Sequence, residues 1–595
     1  MKATTTSDDA AQKQGRQPQW LRSIVEQLPR FGRAGTRTAE LHSGADATAK
    51  PNTRAITYRE LERFAQLRLL GTIGTLLMAI GGLGAGALPV VGNPFHAFPL
   101  ANLLSRMLYS STVLVLIGIG LLMVAWLMMG FFVVGPKRAR YGVVATGMLV
   151  RTYAAWVIPL LLTAPLFTQD IYSYLAQGSI VRQGMDPYIA GPVDLLGTSN
   201  ELARSVPLIW SHSPSPYGPV ALGIAAAISQ ITGDHIAAGV IAHRFVSTIA
   251  LFIVGWALVR LSLRCGVRPQ AAIWLGILNP LALLHLVAGI HNESIMLALI
   301  LVGLELTLLG LCGRPTPGSP DSLSAGGHAA TAAVTVIKPI VFSLSARAWG
   351  WCIVGTVLIA LAGMVKVTGF IALGFVGMAI ARRLGGSWLH VALAAAFQAV
   401  VAAITVVAVS IGSGMGLGWI SAQGGAATIR SWMSITTDVG VVSGFLGNLL
   451  GLGDHTEAIL TLSRGLGVLV AMAWMLRMLF AVLQGRIHPL GGYGSSVLVL
   501  VLLFPVVHPW YLLWAIVPLA AWADRRGFRL SVIAYSTFFS FTVLPRGLAL
   551  PPSAIIIIYV SAALIFIVLL LGLLYLFTRN KPLVTGRICP PCATG

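Results

Sequence analysis

The sequence predicts an all-α polytopic membrane protein, and three observations carry that prediction. Of its 595 residues, 56% are hydrophobic and 10% are charged, and the mean hydropathy of +0.82 lies far above that of soluble globular chains. The apolar residues form runs of about twenty, the length of a helix that spans a bilayer. Lys and Arg cluster between these runs, which is typical of cytoplasmic loops. The membrane therefore explains the net charge of +21, and no nucleic-acid partner is expected.

The chain starts with a polar segment of mixed charge, residues 1–66. This segment lacks the apolar core of a signal peptide, so we expect a disordered cytoplasmic tail. Two apolar spans follow at about 67–90 and 111–135 and make an extra N-terminal helix pair within residues 67–142. Basic residues flank the start of the first span and the end of the second span, so both of these positions are expected on the cytoplasmic side. The third span, at about 144–166, should then cross outward.

Residues 167–217 form the longest polar passage between two apolar spans, and we expect a long outer loop that carries the active site. Asp170 follows directly on apolar residues, so its carboxylate should lie where hydrocarbon meets water, which suits a general base. The alternative is that Asp170 only caps a short interfacial helix. Aromatic side chains in the passage offer surface for the interface or for a sugar ring: Tyr172, Tyr174, Tyr188 and Trp210.

Three apolar stretches lie between this loop and the next polar motif, at about 217–232, 236–262 and 270–288. An Arg cluster after the second stretch marks a cytoplasmic end. Only two of the three stretches can then be full crossings, so 217–232 either dips into the bilayer or lies along the loop. The motif GIHNES, which starts at Gly289, returns to the outer face. We assign residues 143–312 to one module.

A segment rich in Pro, Ser, Gly and Ala, residues 313–348, indicates a flexible cytoplasmic linker and a domain boundary. The C-terminal transmembrane helices occupy residues 349–578, with an ambiguous stretch at about 440–452, and a cytoplasmic tail follows at 579–595. The chain then has about 14 helices, or about 16 if both ambiguous stretches cross. A CPPC at 589–592 has no second cysteine pair and is weak evidence for metal or redox chemistry.

On this topology four separated regions reach the outer face: Asp170, the HNE at 291–293, Lys366 and His508. Each has a simpler explanation, since Glu293 could begin a helix, Lys366 could extend to the interface and His508 could be a packing residue. A shared face with a carboxylate, cations, imidazoles and aromatics nevertheless suits chemistry on a lipid-linked phosphate. Phosphate leaves without a general acid, so one carboxylate suffices, unlike in glycoside hydrolysis.

Four motifs in this order resemble those of the polyprenol-phosphate-mannose-dependent α-1,6-mannopyranosyltransferases of actinobacteria, of the MptA and MptB type and closer to MptB. They are TQDIYSYLAQG…GMDPY, SPYGPVAL, NPLALLHLVAGIHNESIM and HPWYLLW, and the similarity covers about residues 68–579. The resemblance implies a GT-C fold and an inverting transfer of mannose from decaprenyl-type phosphomannose to a mannosylated phosphatidylinositol or lipomannan acceptor. It also implies an active site on the outer face of the plasma membrane, with the catalytic carboxylate in the first outer loop of the module, at Asp170.

Donor-phosphate binding is assigned to His508, with Lys366 and Arg244 as further candidates, because HPWYLLW opens a helix at the outer interface. Trp510 is expected to anchor this helix and to leave the imidazole free to face the headgroup. Sugar and acceptor contacts are expected from other residues of the motifs: Tyr172, Tyr174, Asp186, Tyr188, His291, Asn292, Glu293, Trp510 and Tyr511.

Metal binding is not expected. Asp170 follows Gln169 and not a second acid, and the loop has neither a DxD nor a His-rich cluster, whereas Mg²⁺ and Mn²⁺ sites draw on carboxylates. We therefore expect no cofactor. The expected partners are the lipid-linked donor, the acceptor and membrane lipids.

Two other functions share these features. A transporter or flippase of a lipid-linked sugar would have the same hydrophobicity and intramembrane charges such as Arg151, Arg244 and Glu305. Inverted repeats are expected in that class, and none is visible. A ligase that moves a whole glycan from a polyprenyl carrier is chemically close to the transferase. The long outer loop favours an enzyme over a conduit.

Overall fold

The computed structural model describes residues 56–89, 92–134, 143–315, 344–422 and 430–579. The regular elements in these ranges are helices, with no strand among them, which confirms the predicted all-α class. Nine of the described helices are long and apolar enough to cross a bilayer, and a pair bent by 51° would make a tenth. Four shorter apolar helices accompany them. The number of 14–16 crossings therefore stays a prediction.

The N-terminal half of the described chain contains thirteen α-helices, with a 3₁₀-helix, Ile158–Leu162, after the fourth and a π-helical turn, Leu283–Ala288, after the twelfth. In chain order they are α1 Tyr58–Ala85, α2 Ala101–Leu104, α3 Leu108–Val133, α4 Thr146–Val157, α5 Asp170–Arg182, α6 Pro192–Leu196, α7 Glu201–Ser205, α8 Leu208–Ser211, α9 Pro219–Thr232, α10 Ile236–Arg264, α11 Pro269–Leu275, α12 Pro280–Ala282 and α13 Glu293–Cys312.

The C-terminal half continues the bundle, with 3₁₀-helices at Val367–Phe370 and Pro509–Leu512. Its described α-helices are α14 Ala346–Gly363, α15 Ile371–Leu384, α16 Trp388–Gly412, α17 Ile435–Leu449, α18 Thr456–Leu483, α19 Pro489–Leu503, α20 Leu513–Ala520, α21 Arg526–Phe539 and α22 Pro552–Arg579.

The first helix begins earlier than the apolar pattern predicts. α1 starts at Tyr58 because Thr57 and Glu60 form a capping box that satisfies backbone N–H groups at the helix end. The part of the predicted disordered tail from 58 to 66 is therefore helical. The rest of that tail, residues 1–55, lies outside the described residues.

Two contacts fix the N-terminal helix pair in the bundle. α1 and α3 meet at Gly74 and Gly118, where a Cβ on Gly74 would lie 2.6 Å from the Gly118 carbonyl oxygen, so the close approach requires glycine. α3 is joined to α11 by Trp126 and Trp274, because each indole N–H donates to the other residue's carbonyl oxygen at 2.9 Å. The two rings also stack, with centroids 5.1 Å apart.

The polar passage at 167–217 contains more helix than its composition suggests. α5 is buried over most of its length and packs against α9. Polar residues of α5 find partners inside the protein; Gln177, for example, accepts a hydrogen bond from Ser215 Oγ at 3.0 Å. Buried polar groups of this kind are compatible with a packed helix because they are hydrogen-bonded. The stretch 217–232 forms α9 and contacts the polar passage through α5; whether it also dips into the bilayer stays open.

Other predicted spans are short or broken. The span at about 144–166 consists of α4 and the 3₁₀-helix that follows it. The ambiguous stretch at 440–452 overlaps α17, which has 15 residues. Residues 316–343 of the predicted linker and the tail from 580, including the CPPC, lie outside the described residues.

Candidate active site

Two backbone segments with unusual geometry meet beside Asp170. Phe167 and Ile290 adopt positive φ angles of 71° and 59°, a region that bulky and β-branched residues rarely occupy. The segments are joined by a hydrogen bond of 3.1 Å from the Leu166 N–H to the Ala288 carbonyl. The π-helical turn ends at Ala288. Such strain and π turns occur preferentially at functional sites, where the surrounding structure holds them.

Asp170 is the first residue of α5, and its carboxylate is not used for capping. Gln169 occupies the N-cap position without a side-chain cap and instead donates from Nε2 to the Leu88 carbonyl at 2.9 Å. The Asp170 side chain is 28% exposed, and its Oδ2 lies 3.7 Å from Nδ1 of His291. No side chain in the described ranges donates a hydrogen bond to it. The carboxylate is therefore available to a ligand.

Lys366 is held beside Glu293 by an ion pair. Its Nζ lies 2.8 Å from Glu293 Oε1, and the Glu293 side chain is almost fully buried. The ammonium also lies over the rings of Tyr511 and Trp514, at 4.4 Å and 4.6 Å from their centroids. Burial alone would lower the pKa of Lys366, but the adjacent Glu293 carboxylate outweighs it and raises the pKa. Lys366 thus stays charged, and 21% of its side chain remains exposed.

Three imidazoles stack on one indole next to this pair. The ring of Trp510 lies 4.2 Å from that of His291, 4.6 Å from that of His508 and 4.8 Å from that of His285, centroid to centroid. Burial lowers the pKa of His508 to about 4 and also lowers the pKa of His291. Both rings are neutral at neutral pH, so His508 can donate a hydrogen bond as a neutral N–H.

Trp510 is buried, so it is not the interfacial anchor that the sequence suggested, and the His508 ring packs on it. The physical reason is that the imidazoles stack on the indole ring and bury it, whereas an interfacial position would leave part of the ring exposed. The indole N–H of Trp510, Nδ1 of His285 and Nε2 of His291 are buried and have no hydrogen-bond partner among the described residues.

Several predicted sugar-binding residues have partners in the protein itself. Tyr172 is buried and donates to the Ala87 carbonyl at 2.8 Å. Tyr188 is buried against Gly418, and Asp186 accepts from the Tyr188 N–H at 2.8 Å. These three residues shape the polar passage.

Tyr174 and Asn292 lie closer to the other titratable groups. Burial raises the pKa of the Tyr174 hydroxyl, and the charges of Asp170 and Glu293 raise it further. Asn292 precedes α13 without capping it through its side chain. Its amide makes no hydrogen bond within the described chain, so it can serve a ligand.

Arg244 lies apart from this surface, although the sequence suggested it for the donor phosphate. Its side chain is fully buried, and its guanidinium donates to the carbonyls of Leu161, Thr163 and Ala164 at 3.0, 2.6 and 3.2 Å. These carbonyls have no helical partner because the chain leaves the 3₁₀-helix here. Arg244 therefore holds the segment that leads to Asp170.

Sequence reasoning did not select Tyr217 or His285. The Tyr217 hydroxyl lies 3.3 Å from that of Tyr174, and the charges of Asp170 and Lys366 both act on it. The signal for Tyr217 was present in SPYGPVAL, where it ends the polar passage. His285 is embedded in the apolar run LLHLVA, and only the three-dimensional stacking on Trp510 reveals its place.

The partly exposed members of the site form one surface that joins four distant regions of the chain. They are Asp170, Tyr217, Lys366, His508 and Tyr511, and we call this set the polar surface. It offers a carboxylate that accepts a proton, a permanent cation and three further hydrogen-bond donors. Within the described ranges no three His, Cys, Asp or Glu side chains are grouped to hold a metal ion.

The helical fold and the polar surface define the class, a polytopic membrane enzyme. Residues 68–382 match the sequence family described as Alpha-(1->6)-mannopyranosyltransferase, N-terminal domain, and residues 436–571 match the MptB C-terminal domain. The chain therefore belongs to the α-(1→6)-mannopyranosyltransferase family and is a glycosyltransferase of the MptB type. The resemblance inferred from the four motifs is confirmed.

Similar proteins cover nearly the whole chain. Alpha-(1->6)-mannopyranosyltransferase B of Corynebacterium glutamicum is 52% identical over 95% of this chain and 94% of its own length. An alpha-(1->6)-mannopyranosyltransferase of Mycobacterium tuberculosis is 41% identical over 92% and 93% of the two chains, and an enzyme of that organism named A is 30% identical over 80% and 84%. No solved structure matches the chain.

Proposed function

We propose that the protein is an inverting α-1,6-mannosyltransferase that moves mannose from a polyprenyl phosphate to a mannosylated phosphatidylinositol or lipomannan-type acceptor. The reaction takes place at the outer face of the plasma membrane, and both chain termini are cytoplasmic. The observation that carries the proposal is the polar surface, where Asp170, Lys366 and His508 meet within an apolar helical bundle. A lipid-linked phosphate needs this combination of donors and base at membrane depth.

Asp170 acts as the general base in the proposed reaction. The 6-hydroxyl oxygen of the acceptor attacks the anomeric carbon of the donor mannose from the face opposite the phosphate, which inverts the configuration. The bond between that carbon and the phosphate oxygen breaks, and the phosphate leaves with the bonding electrons. The hydroxyl proton passes to the Asp170 carboxylate, which is free of internal hydrogen bonds.

Lys366 and His508 bind the donor phosphate. Lys366 is kept charged by Glu293 and partly exposed, so its ammonium can meet the phosphate without moving. The neutral His508 ring donates an N–H, and a bound phosphate would raise the pKa of His508 again because opposite charge favours the protonated ring. Both donors stabilise the departing phosphate more strongly in the transition state, where its negative charge increases.

Asn292, Tyr174, Tyr217 and Tyr511 supply hydrogen bonds to the sugar or the acceptor. Tyr172, Asp186 and Tyr188 support this surface from the polar passage. His291 lies 3.7 Å from the Asp170 carboxylate and lines the space beside it, and Trp510 holds His291 and His508 in place by stacking. The proposed reaction uses no metal and no cofactor.

The donor class is tested with purified protein and radiolabelled polyprenyl-phosphate mannose, with a nucleotide-linked mannose as the control. We expect label in an acid-stable α-1,6-linked product from the lipid donor only. Transfer from the nucleotide donor alone contradicts the proposal. Movement of the lipid-linked sugar across a vesicle membrane without a new glycosidic bond supports the transporter.

The base is tested with Asp170→Asn, which keeps the shape of the side chain and removes its basicity. Transfer should fall by about 10²–10⁴-fold. Asp194→Asn is the matched control, since Asp194 lies in the same polar passage and pairs with the exposed His212. Near-normal turnover in Asp170→Asn removes Asp170 from the mechanism.

The membrane face is tested by labelling intact cells with an impermeant thiol reagent. Leu208→Cys, at an exposed position of the polar passage, should be labelled in intact cells. Trp388→Cys, at an exposed position after the basic end of α15, should react only after lysis, and the wild-type chain gives the background of its own cysteines. The reverse pattern places the site inside.

A further inference from the structure

A cavity lies behind the segment that leads to Asp170. It has a volume of about 130 Å³, whereas about 10–15 Å³ is enough to hold one water molecule, so a phosphate-sized group fits. Its walls come from the end of α1, the turn that follows, the start of α3 and the loop after α21. The polar side chains that line it are Asn93, Ser105 and Arg546.

Arg546 gives the cavity its charge. The side chain is half-buried and makes no hydrogen bond or ion pair with any residue of the described ranges. No acidic side chain is among the residues that line the cavity. A half-buried guanidinium with none of its five donors satisfied by the protein is a ready partner for an anion.

The cavity walls also hold the backbone before Asp170. On one side the Leu88 carbonyl, in the cavity lining, accepts from Gln169 Nε2 at 2.9 Å. On the other side the Phe167 N–H donates to the Pro545 carbonyl at 2.7 Å. Gly547, next to Arg546, has φ of 71°, and a Cβ there would lie 2.8 Å from the Phe167 carbonyl oxygen. A ligand that fixes Arg546 therefore also fixes the strained residue Phe167.

The surroundings of the cavity favour a lipid over a free anion. Leu103 and Met107, on either side of the lining residue Ser105, are exposed apolar side chains, and so is Leu548, two residues after Arg546. A cation beside exposed aliphatic side chains is the arrangement found at the boundary between headgroups and acyl chains.

We propose that this cavity is a second phosphate site, in which Arg546 binds the phosphate ester of a membrane lipid. The lipid is either a polyprenyl phosphate, whose phosphate is a monoester, or an anionic phospholipid, whose phosphate is a diester. The site shares no residue with the polar surface and gives the extra N-terminal helix pair a function, since α1 and α3 form two of its walls. An occupied site stabilises the backbone that presents Asp170.

The test measures equilibrium binding of farnesyl phosphate and, separately, of phosphatidylinositol to the purified full-length protein in neutral detergent. Arg546→Ala should weaken binding of at least one probe by roughly 10–100-fold, the range for a lost charge-assisted hydrogen bond, and Arg546→Lys should keep part of it. Loss for farnesyl phosphate identifies a monoester site, and loss for phosphatidylinositol identifies a diester site. Unchanged binding of both probes overturns the proposal.

Two controls separate the cavity from other effects. Arg106→Ala removes the same charge from an exposed position next to Ser105 and should bind like the wild type; an equal loss there would mean general attraction to a basic surface and overturn the site. Ser105→Trp keeps Arg546 but fills the cavity, and it should weaken binding as Arg546→Ala does. Both probes are also measured in His508→Ala, so that binding at the polar surface is counted separately and a failure of the proposed transfer reaction leaves this result intact.

Discussion

Helix α13 carries two buried carboxylates, Glu293 at its first residue and Glu305 in its second half, and the two differ in what surrounds them. Glu305 is fully buried and pairs with Arg264 at 2.6 Å and with Arg260 at 3.2 Å. Arg264 is itself fully buried and also donates to the Gly313 carbonyl at 3.0 Å. Glu293 pairs with the partly exposed Lys366 at 2.8 Å, and His291, two residues before Glu293, lies 3.7 Å from the Asp170 carboxylate.

The comparison shows that an ion pair by itself does not mark a functional site. At Glu305 the shorter pair, with Arg264, is enclosed and joins α10 to α13, and Arg260, whose side chain is 27% exposed, adds a longer contact from the same helix α10. At Glu293 the partner is Lys366, which belongs to the polar surface and lies 3.4 Å from the Tyr511 hydroxyl, so the same kind of pairing prepares a cation for a ligand.

The largest expected effect comes from breaking the enclosed pair. Arg264→Met leaves the Glu305 carboxylate buried with only its weaker partner, Arg260, and should cost about 3–5 kcal/mol of stability. The measurement is thermal unfolding in detergent. The double variant Arg264→Met with Glu305→Leu is the control, because it removes both charges and should regain much of the loss. A wild-type melting temperature in Arg264→Met would show that the pair is not structural.

His508→Ala tests the donor-phosphate contact on the polar surface. Loss of a preorganised donor to the departing phosphate should lower kcat by about 10²–10³-fold, with a smaller effect on KM. His508→Gln keeps an N–H and should recover part of the rate. A change confined to the donor KM, or no change, would make the ring a packing partner of Trp510 only.

A smaller effect is expected from pH. His508 binds a proton near pH 6.5 when unfolded but only near pH 4 in the folded protein, so between these values the unfolded state binds more protons. Stability is therefore complete above about pH 6.5 and falls as the pH is lowered towards 4. Melting temperatures across this window should fall less steeply in His508→Gln. Identical slopes in both proteins would show that His508 is not buried in its neutral form.

Chelation should have no effect. Activity should survive exhaustive treatment with EDTA, because the sequence offers no paired acids at Asp170. Reversible loss of transfer, restored by Mn²⁺ or Mg²⁺, would contradict this and direct attention to Glu293 and Asp186 as ligands.

Sequence reasoning worked best where residue type alone fixes the environment. Runs of about twenty apolar residues are buried either in a membrane or in a large protein core, so the helical membrane class was predictable. Asp170, Lys366 and His508 stand at the ends of such runs, and their common role in one site stays a prediction.

Sequence reasoning was weaker where the partner of a polar group decides its role. The sequence does not reveal that the Arg244 guanidinium donates its hydrogen bonds to backbone carbonyls, or that imidazoles stack on Trp510. The buried helix α5 was not predicted from the sequence for the same reason, because the residue type of Gln177 does not reveal that it has a hydrogen-bond partner inside the protein. Such choices depend on tertiary contacts between segments far apart in the chain.

The most direct test of the difference between the polar surface and the Glu305 ion pair is the transfer rate per folded molecule, measured on Asp170→Asn and Arg264→Met prepared in parallel. Asp170→Asn should lose about 10²–10⁴-fold in rate and keep the wild-type melting temperature, because its carboxylate makes no internal hydrogen bond. Arg264→Met should melt at a lower temperature and keep the wild-type rate per folded molecule. Wild-type turnover in Asp170→Asn, or losses of rate that follow the melting temperature in both variants, would contradict the assignment of chemistry to the polar surface.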